Sequence, residues 1–220
     1  CGPLDEAQAK ALFARFGVTP VRERVVRDAA DAEQAARHFG DRVVLKLLSN
    51  RVTHKSDIGG VAVGVAADAI GARLERMRDD VETGAGFAPD AFLVQEMVAG
   101  GVEMIVGLHR DPLGTAILLG MGGVTAEIFN DTVLRMLPED APLSRDDALD
   151  MIRALRTWPL LDGYRGRPKA DVDALADALV AFARMARQLG PRLVEAEINP
   201  LFVLEAGRGV RAADGVAVLS

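Results

Sequence analysis

The sequence predicts a two-lobed domain of mixed α/β (α+β) class. Its 220 residues suffice for one sizeable domain or for two small lobes with a shared interface. Half the residues are apolar and about a quarter are charged, the profile of a globular chain with a core to bury. Helical and strand patterns alternate loosely and not as a strict βαβ series, which disfavours a doubly wound parallel sheet.

Taken in order, "LDEAQAKALFARFG" places Leu4, Ala11, Leu12 and Phe16 at helical spacing, with Gly17 set to end the helix. "VRERVVRD" reads as a strand, and "DAEQAARHFG" as a second helix closed by Gly40. "RVVLKLLS" is a buried strand of β-branched residues and leucines interrupted by Lys46. "GVAVGVA" pairs with it as a hairpin whose tip is residues 49–60. "IGARLERMRDDV" carries Ile70, Leu74, Met77 and Val81 on one helical face. Two strands flank Ala99-Gly100-Gly101, and "TAILLGMGG" is a further strand ending in glycines. Ser144 and Asp147 are spaced as a capping box, "WPLLDGYRGRPK" is expected to be irregular, and residues 171–189 form a strongly amphipathic helix. The tail, "LVEAEINPLFVLEAGRGVRAADGV", reads as a hairpin about Gly207.

Composition narrows the functional classes. A formal net charge of −6 without a basic tail argues against a general nucleic-acid or membrane-surface binder. An anionic ligand would need local cations or a metal. Cys1 is the single cysteine, which excludes a disulfide framework and a multi-cysteine zinc site and fits a reducing cytoplasm. No apolar run approaches the length of a membrane span, and the first residues lack a signal-peptide core. A chain that begins at Cys1 and not at Met is expected to be a piece of a longer one.

Four clusters can carry chemistry. Lys46, inside an apolar strand, either snorkels from a sheet edge or points its ammonium at an anion such as a nucleotide phosphate. "THKSDIGGV" puts His54 and Lys55 before Gly59 and Gly60. It is no Walker-type loop, because no glycine directly precedes Lys55. A glycine-rich hairpin tip can still lay backbone N–H groups against phosphate, and a histidine largely neutral at pH 7 can accept a phosphoryl group. The alternative is a solvated turn. In the tail, Glu197 and Asn199 share a strand face. If the hairpin turns at Ala206-Gly207, residues i and 413 − i stand opposite, so Asn199 faces Asp214 with Glu197 on the diagonal. Two carboxylates and an amide form an oxygen-only set of the kind Mg²⁺ takes together with substrate phosphates. The alternative is a wet polar face. Finally, Gly122 and Gly123 would allow close backbone approach. Glu127, Asp131 and Arg135 repeat every four residues as either a helical ion-pair ladder or part of a strand.

Several of these stretches, in order, resemble the ATP-grasp domain of the ADP-forming (NDP-forming) acyl-CoA synthetases, related to the β subunit of succinyl-CoA synthetase. They are "EAQAKALFARFGVTPV", "VVLKLLSNRVTHKSDIGGVAVGV", "FLVQEMVAGGVEMIVGLHRDP", "GMGGVTAEIFND", "WPLLDGYRGRP" and "EINPLFV", and together they cover nearly the whole chain. The resemblance implies a single ATP-grasp domain over 1–220. Residues 18–93 would form the smaller lobe with the mobile loop, and 94–220 with helix 4–16 the larger, with ATP·Mg²⁺ between them. It implies that Lys46, Lys55, Gly59 and Gly60 contact phosphates, that the backbone of Gln95, Glu96, Met97 and Val98 reads adenine, and that Glu103 holds the ribose. Asn199 and Asp214, with Glu197 beside them, would bind Mg²⁺, and His54 would be a phosphohistidine on the loop.

The implied reaction is acyl-CoA + ADP + phosphate ⇌ carboxylate + CoA + ATP. The family's CoA-binding and first phosphohistidine domains have no counterpart in these residues. CoA is thus expected through partner domains, upstream in the same chain or in a separate α subunit, which would also supply the small-molecule acyl substrate. Thr125 and Asn130 depart from the family pattern "GGIFVEVLKD". Two other functions remain open from the sequence: a non-catalytic nucleotide sensor of a fused acetyltransferase, and a carboxylate–amine ligase.

Overall fold

The structure is a computed structural model that describes residues 2–49, 55–123, 131–138 and 141–220. Two compact units emerge. The small unit comprises Asp5–Ala7 and Val21–Ala99, the large unit Cys1–Leu4, Gln8–Pro20 and Gly100–Ser220. The chain opens with β1 (Gly2–Pro3) and α1 (Glu6–Phe16). Within α1, Ala9 and Phe13 are fully buried while Ala11 is exposed. Leu4, Leu12 and Phe16 of the expected stripe pack against the same core, and Phe13 at its centre stands edge-on to Phe182 at 5.2 Å and packs against Gly215.

In the small unit, β2 (Glu23–Val26), β3 (Arg42–Leu48), β4 (Val61–Ala66) and β5 (Ala91–Glu96) form an antiparallel sheet of order β2-β5-β3-β4. α2 (Ala29–Phe39) starts at Asp28, whose carboxylate accepts from Asp31 N–H, and ends at Gly40. α3 (Ile70–Ala85) buries Ile70, Leu74, Met77 and Val81 as its spacing predicts. The two helices close a core with Val43, Leu45, Leu47, Phe92 and Val94. Strand alternation then sends Lys46 and Gln95 to the opposite face of the sheet.

In the large unit, β6 (Val102–Asp111) and β7 (Gly114–Met121) form a hairpin whose turn amides, Leu113 and Gly114 N–H, donate to the Asp111 carboxylate. β8 (Thr132–Leu137), β9 (Leu193–Val203), β10 (Val210–Ala212) and β11 (Gly215–Leu219) complete a seven-stranded sheet. Its order is β1-β11-β9-β6-β7-β8, with β10 also on β9. α4 (Arg145–Ala154) begins with the predicted capping box of Ser144 and Asp147. α5 (Trp158–Leu161) and a 3₁₀ turn at Tyr164–Gly166 occupy the stretch expected to be irregular; Pro159 falls in the first turn, where a missing N–H costs nothing. α6 (Val172–Leu189) buries Leu175, Leu179, Phe182 and Met185 in a core shared with Met104, Val106, Ile117, Leu119, Ile198 and Leu201.

The ion-pair ladder is not formed by its described members. Arg135 lies in β8 and pairs with Asp147, while Asp131 accepts from the Arg156 and Thr157 amides and the Thr157 hydroxyl. Among the described residues no helix is long and apolar enough to cross a membrane.

Candidate functional site

Lys46 does not snorkel. β3 has a partner on each side, and the residue is 6% exposed. Its ammonium donates to Glu6 Oε1 at 2.9 Å, and Lys55 Nζ donates to Glu6 Oε2 at 2.7 Å. Gln95 Nε2 adds bonds to Glu6 Oε1 at 2.9 Å and to Glu23 Oε2 at 2.7 Å. Glu23 and Gln95 stand directly opposite on β2 and β5, so strand register supplies that contact. The small unit therefore concentrates two ammonium groups on one fully buried carboxylate. Buried charge of this kind persists only when paired.

The segment after the hairpin tip is shaped by its glycines. Lys55–Ile58 makes one 3₁₀ turn. Gly59 N–H donates to Ser56 O at 3.2 Å and Gly60 N–H to Lys55 O at 2.8 Å. Gly59 has φ +71°, and a Cβ on Gly60 would lie 2.9 Å from Lys55 O. Both amides expected to cradle phosphate thus close the turn here. What the segment presents to an anion is the Lys55 ammonium. His54 lies outside the described residues, as do Glu127, Thr125 and Asn130.

In the large unit β9 pairs with β10 and β11 in the predicted register i and 413 − i from Val203↔Val210 through Ile198↔Gly215 to Glu195↔Val218, and shifts only at Leu219. Ala213 N–H donates to Pro200 O at 3.1 Å, after a cis Asn199–Pro200 peptide. Asn199 and Asp214 thus occupy facing positions. Glu197 accepts a hydrogen bond from the Asn199 side chain. Burial holds its carboxyl above the usual carboxylate range, with the Glu195 and Asp214 charges adding to the rise and the Asn199 bond opposing it. A group that resists ionisation for lack of a counter-charge fits an adjacent cation. The donor set, two carboxylates and an amide, is all oxygen, as Mg²⁺ requires. Among the described residues no three His, Cys, Asp or Glu side chains gather closely enough to hold a metal alone, so phosphate oxygens and water would complete the shell.

The glycines beside this set are obligatory. Gly123 N–H donates to Asn199 Oδ1 at 3.3 Å, and Gly122 N–H to Glu103 O at 2.8 Å. A Cβ on Gly122 would meet the Met104 carbonyl at 2.6 Å, and one on Gly123 would overlap the Glu103 carboxylate. Glu103, Gly122, Gly123, Asn199, Glu197 and Asp214 therefore belong to one neighbourhood. The stretch expected to read a base is partly committed. Gln95 lies in register with both β2 and β3, and Glu96 N–H donates to Arg22 O while its carboxylate takes Arg22 N–H and Nε–H. Met97, 44% exposed, and Val98 lie beyond the strand.

Two residues escaped the sequence reading. Glu6 and Lys10 stand one turn apart on α1, the spacing of an ordinary surface ion pair. Both are buried, and Lys10 Nζ donates to Ala213 O at 3.3 Å, beside Asp214. Two charges on an otherwise apolar helix face were the available signal. His109, exposed on β6 opposite Glu195, lines a shallow depression that also borders Glu197.

The family model described as "ATP-grasp domain" matches residues 2–219. The β subunit of ADP-forming acetate–CoA ligase I from Pyrococcus furiosus is 36% identical over 92% of this chain and 87% of that protein. The ADP-forming acetate–CoA ligase I of Archaeoglobus fulgidus is 35% identical over 95% of this chain, but the chain spans only 30% of it. Among solved structures, the "dinucleotide forming" acetyl-coenzyme A synthetase 1 of Ca. Korarchaeum cryptofilum with coenzyme A and Ca-AMPCP superposes with a TM-score of 0.89. Identity is 32%, over all of this chain and 94% of that one. The same protein with coenzyme A and Mg-AMPPCP, its phosphohistidine segment pointing towards the nucleotide-binding site, superposes with a TM-score of 0.81 at 32% identity, over 99% and 93%.

Proposed function

This chain belongs to the ATP-grasp family, and on that premise we propose that it is the nucleotide-binding, phosphoryl-transferring component of an ADP-forming acyl-CoA synthetase. The overall reaction is acyl-CoA + ADP + phosphate ⇌ carboxylate + CoA + ATP. CoA and the acyl substrate are handled by partner domains, in a separate α subunit or in the same polypeptide, and a phosphohistidine carries the phosphoryl group to and from the nucleotide. The chain works in the cytoplasm, where adenine nucleotides and CoA are at hand.

The observation that carries this reading is the facing pair Asn199 and Asp214, with Glu197, beside Glu103 and the Gly122–Gly123 turn. Asn199, Asp214 and Glu197 hold Mg²⁺, and when bound the ion neutralises phosphate charge. Lys46 and Lys55 contact the phosphates and offset the charge that spreads over the transferring group, where most catalysis of phosphoryl transfer lies. Glu103 takes the ribose, and Met97 and Val98, which follow β5, take the base. His54 is the group that receives phosphoryl from ATP or delivers it to ADP.

Titration calorimetry of ATP with and without Mg²⁺ tests the reading. The Asn199→Ala, Asp214→Ala double variant is expected to lose the Mg²⁺-dependent part of the affinity; unchanged binding would overturn it. Incubation with γ-labelled ATP tests the carrier. Label on the wild type and none on His54→Ala is expected, and equal label on both removes the role.

A further inference from the structure

The lysines assigned to phosphate are already held by an anion of the protein's own. Glu6 is 3% exposed, and each of its carboxylate oxygens takes one ammonium, Lys46 on Oε1 and Lys55 on Oε2. Two oxygens on one atom, bridging two ammonium groups, reproduce the acceptor pattern of a phosphate. The Gln95 amide also donates to Glu6 and ties it to Glu23. Glu6 opens the helix motif "EAQAKALFARFGVTPV", but none of the proposed catalytic steps uses it.

We propose that Glu6 is an affinity-determining residue: an internal competitor that shares Lys46 and Lys55 with the nucleotide phosphates and keeps nucleotide binding weak enough to reverse. The inference rests on the phosphate role of the two lysines. Two ammonium groups held near one another repel, and a carboxylate between them relieves that repulsion when no phosphate is bound. A polyphosphate then has to win hydrogen bonds from Glu6 and tolerate its negative charge a few ångströms away. For a reaction that runs in both directions, ADP and ATP must each leave, and uniform tight binding would only slow that release.

The signs of the expected effects separate this role from a merely structural one. Glu6→Gln keeps the shape and one acceptor but removes the charge. It is expected to tighten MgADP and MgATP binding about tenfold, and to steepen the fall of affinity with salt, because the lysine pair gains a net charge. A structural anchor predicts the reverse, since loosened lysines bind more weakly. Calorimetry on the 220-residue chain, with the fold checked by circular dichroism, reads the difference. Equal or weaker binding by a folded Glu6→Gln protein overturns the proposal. Where that variant does not fold, the comparison is Lys55→Met against Lys55→Met with Glu6→Gln, which removes one of the repelling cations. Tighter binding by the double variant supports the competitor, and no gain overturns it. Lys46→Met distinguishes the premise. Unchanged nucleotide affinity there refutes the phosphate role of the lysine, whereas lost affinity with no gain in Glu6→Gln refutes the competitor alone.

Discussion

Glu197 and Asp131 show how opposite surroundings tune two carboxyl groups. Burial raises Glu197, helped by the Glu195 and Asp214 charges, so its ionisation opposes folding. The cost is absent below the ordinary glutamate range near 4.5 and complete above the raised folded-state value. Glu197→Gln should therefore raise the melting temperature at pH 7 and change it little at pH 4, and added Mg²⁺ should narrow the gap at pH 7 by stabilising the wild type. Burial also pushes Asp131 up, but the Thr157 hydroxyl and the Thr157 and Arg156 amides outweigh it, and the carboxyl lies below its ordinary value. Its contribution is present above about pH 4 and fades as acid protonates the folded form. Asp131→Asn should cost about 1.5–3 kcal/mol in urea titrations at neutral pH and progressively less below pH 3.8. At this scale Lys46 was legible as a lysine within an apolar strand that needs either a route to solvent or an anion. Glu6 was not, because Lys46, Lys55 and Gln95 are 40 to 89 residues away from it in the chain.

Elements were most legible where local chemistry is self-sufficient. The capping box at Ser144, the heptad-like stripe of α6 and the single register of the tail all follow from spacing alone. In α1 the stripe of Leu4, Leu12 and Phe16 was legible, whereas the burial of Phe13 and exposure of Ala11 are decided by packing against Phe182 and Gly215. The glycines were legible as punctuation but not in function. Gly122 abuts the Met104 carbonyl, so Gly122→Ala should force the β7 end apart and lower stability by about 1–3 kcal/mol, together with Mg²⁺-dependent nucleotide affinity. Gly84, inside α3, has nothing near an added Cβ. Gly84→Ala should raise stability by about 0.5–1 kcal/mol without touching binding.

At the scale of the molecule, the mixed class was anticipated from loose alternation of helices and strands. The sheet orders were not. β5 and β6 are separated by five residues yet belong to different sheets, a choice made by long-range partners such as β2 and β9. Each unit has its own apolar cluster, and a cavity in one should be felt there first. Leu74→Ala is expected to cost about 2–5 kcal/mol and to strip hydrogen-exchange protection from residues 29–96 before the seven-stranded sheet. The continuous register of β9 against β10 and β11 has one more consequence. The turn around Gly207 only joins strands whose alignment is already fixed on both flanks, so a short reporter peptide spliced there should leave divalent-ion affinity intact. One residue added between Ala212 and Gly215 would instead slide β11 by a full step, turn Val216 inward and carry Asp214 away from Asn199.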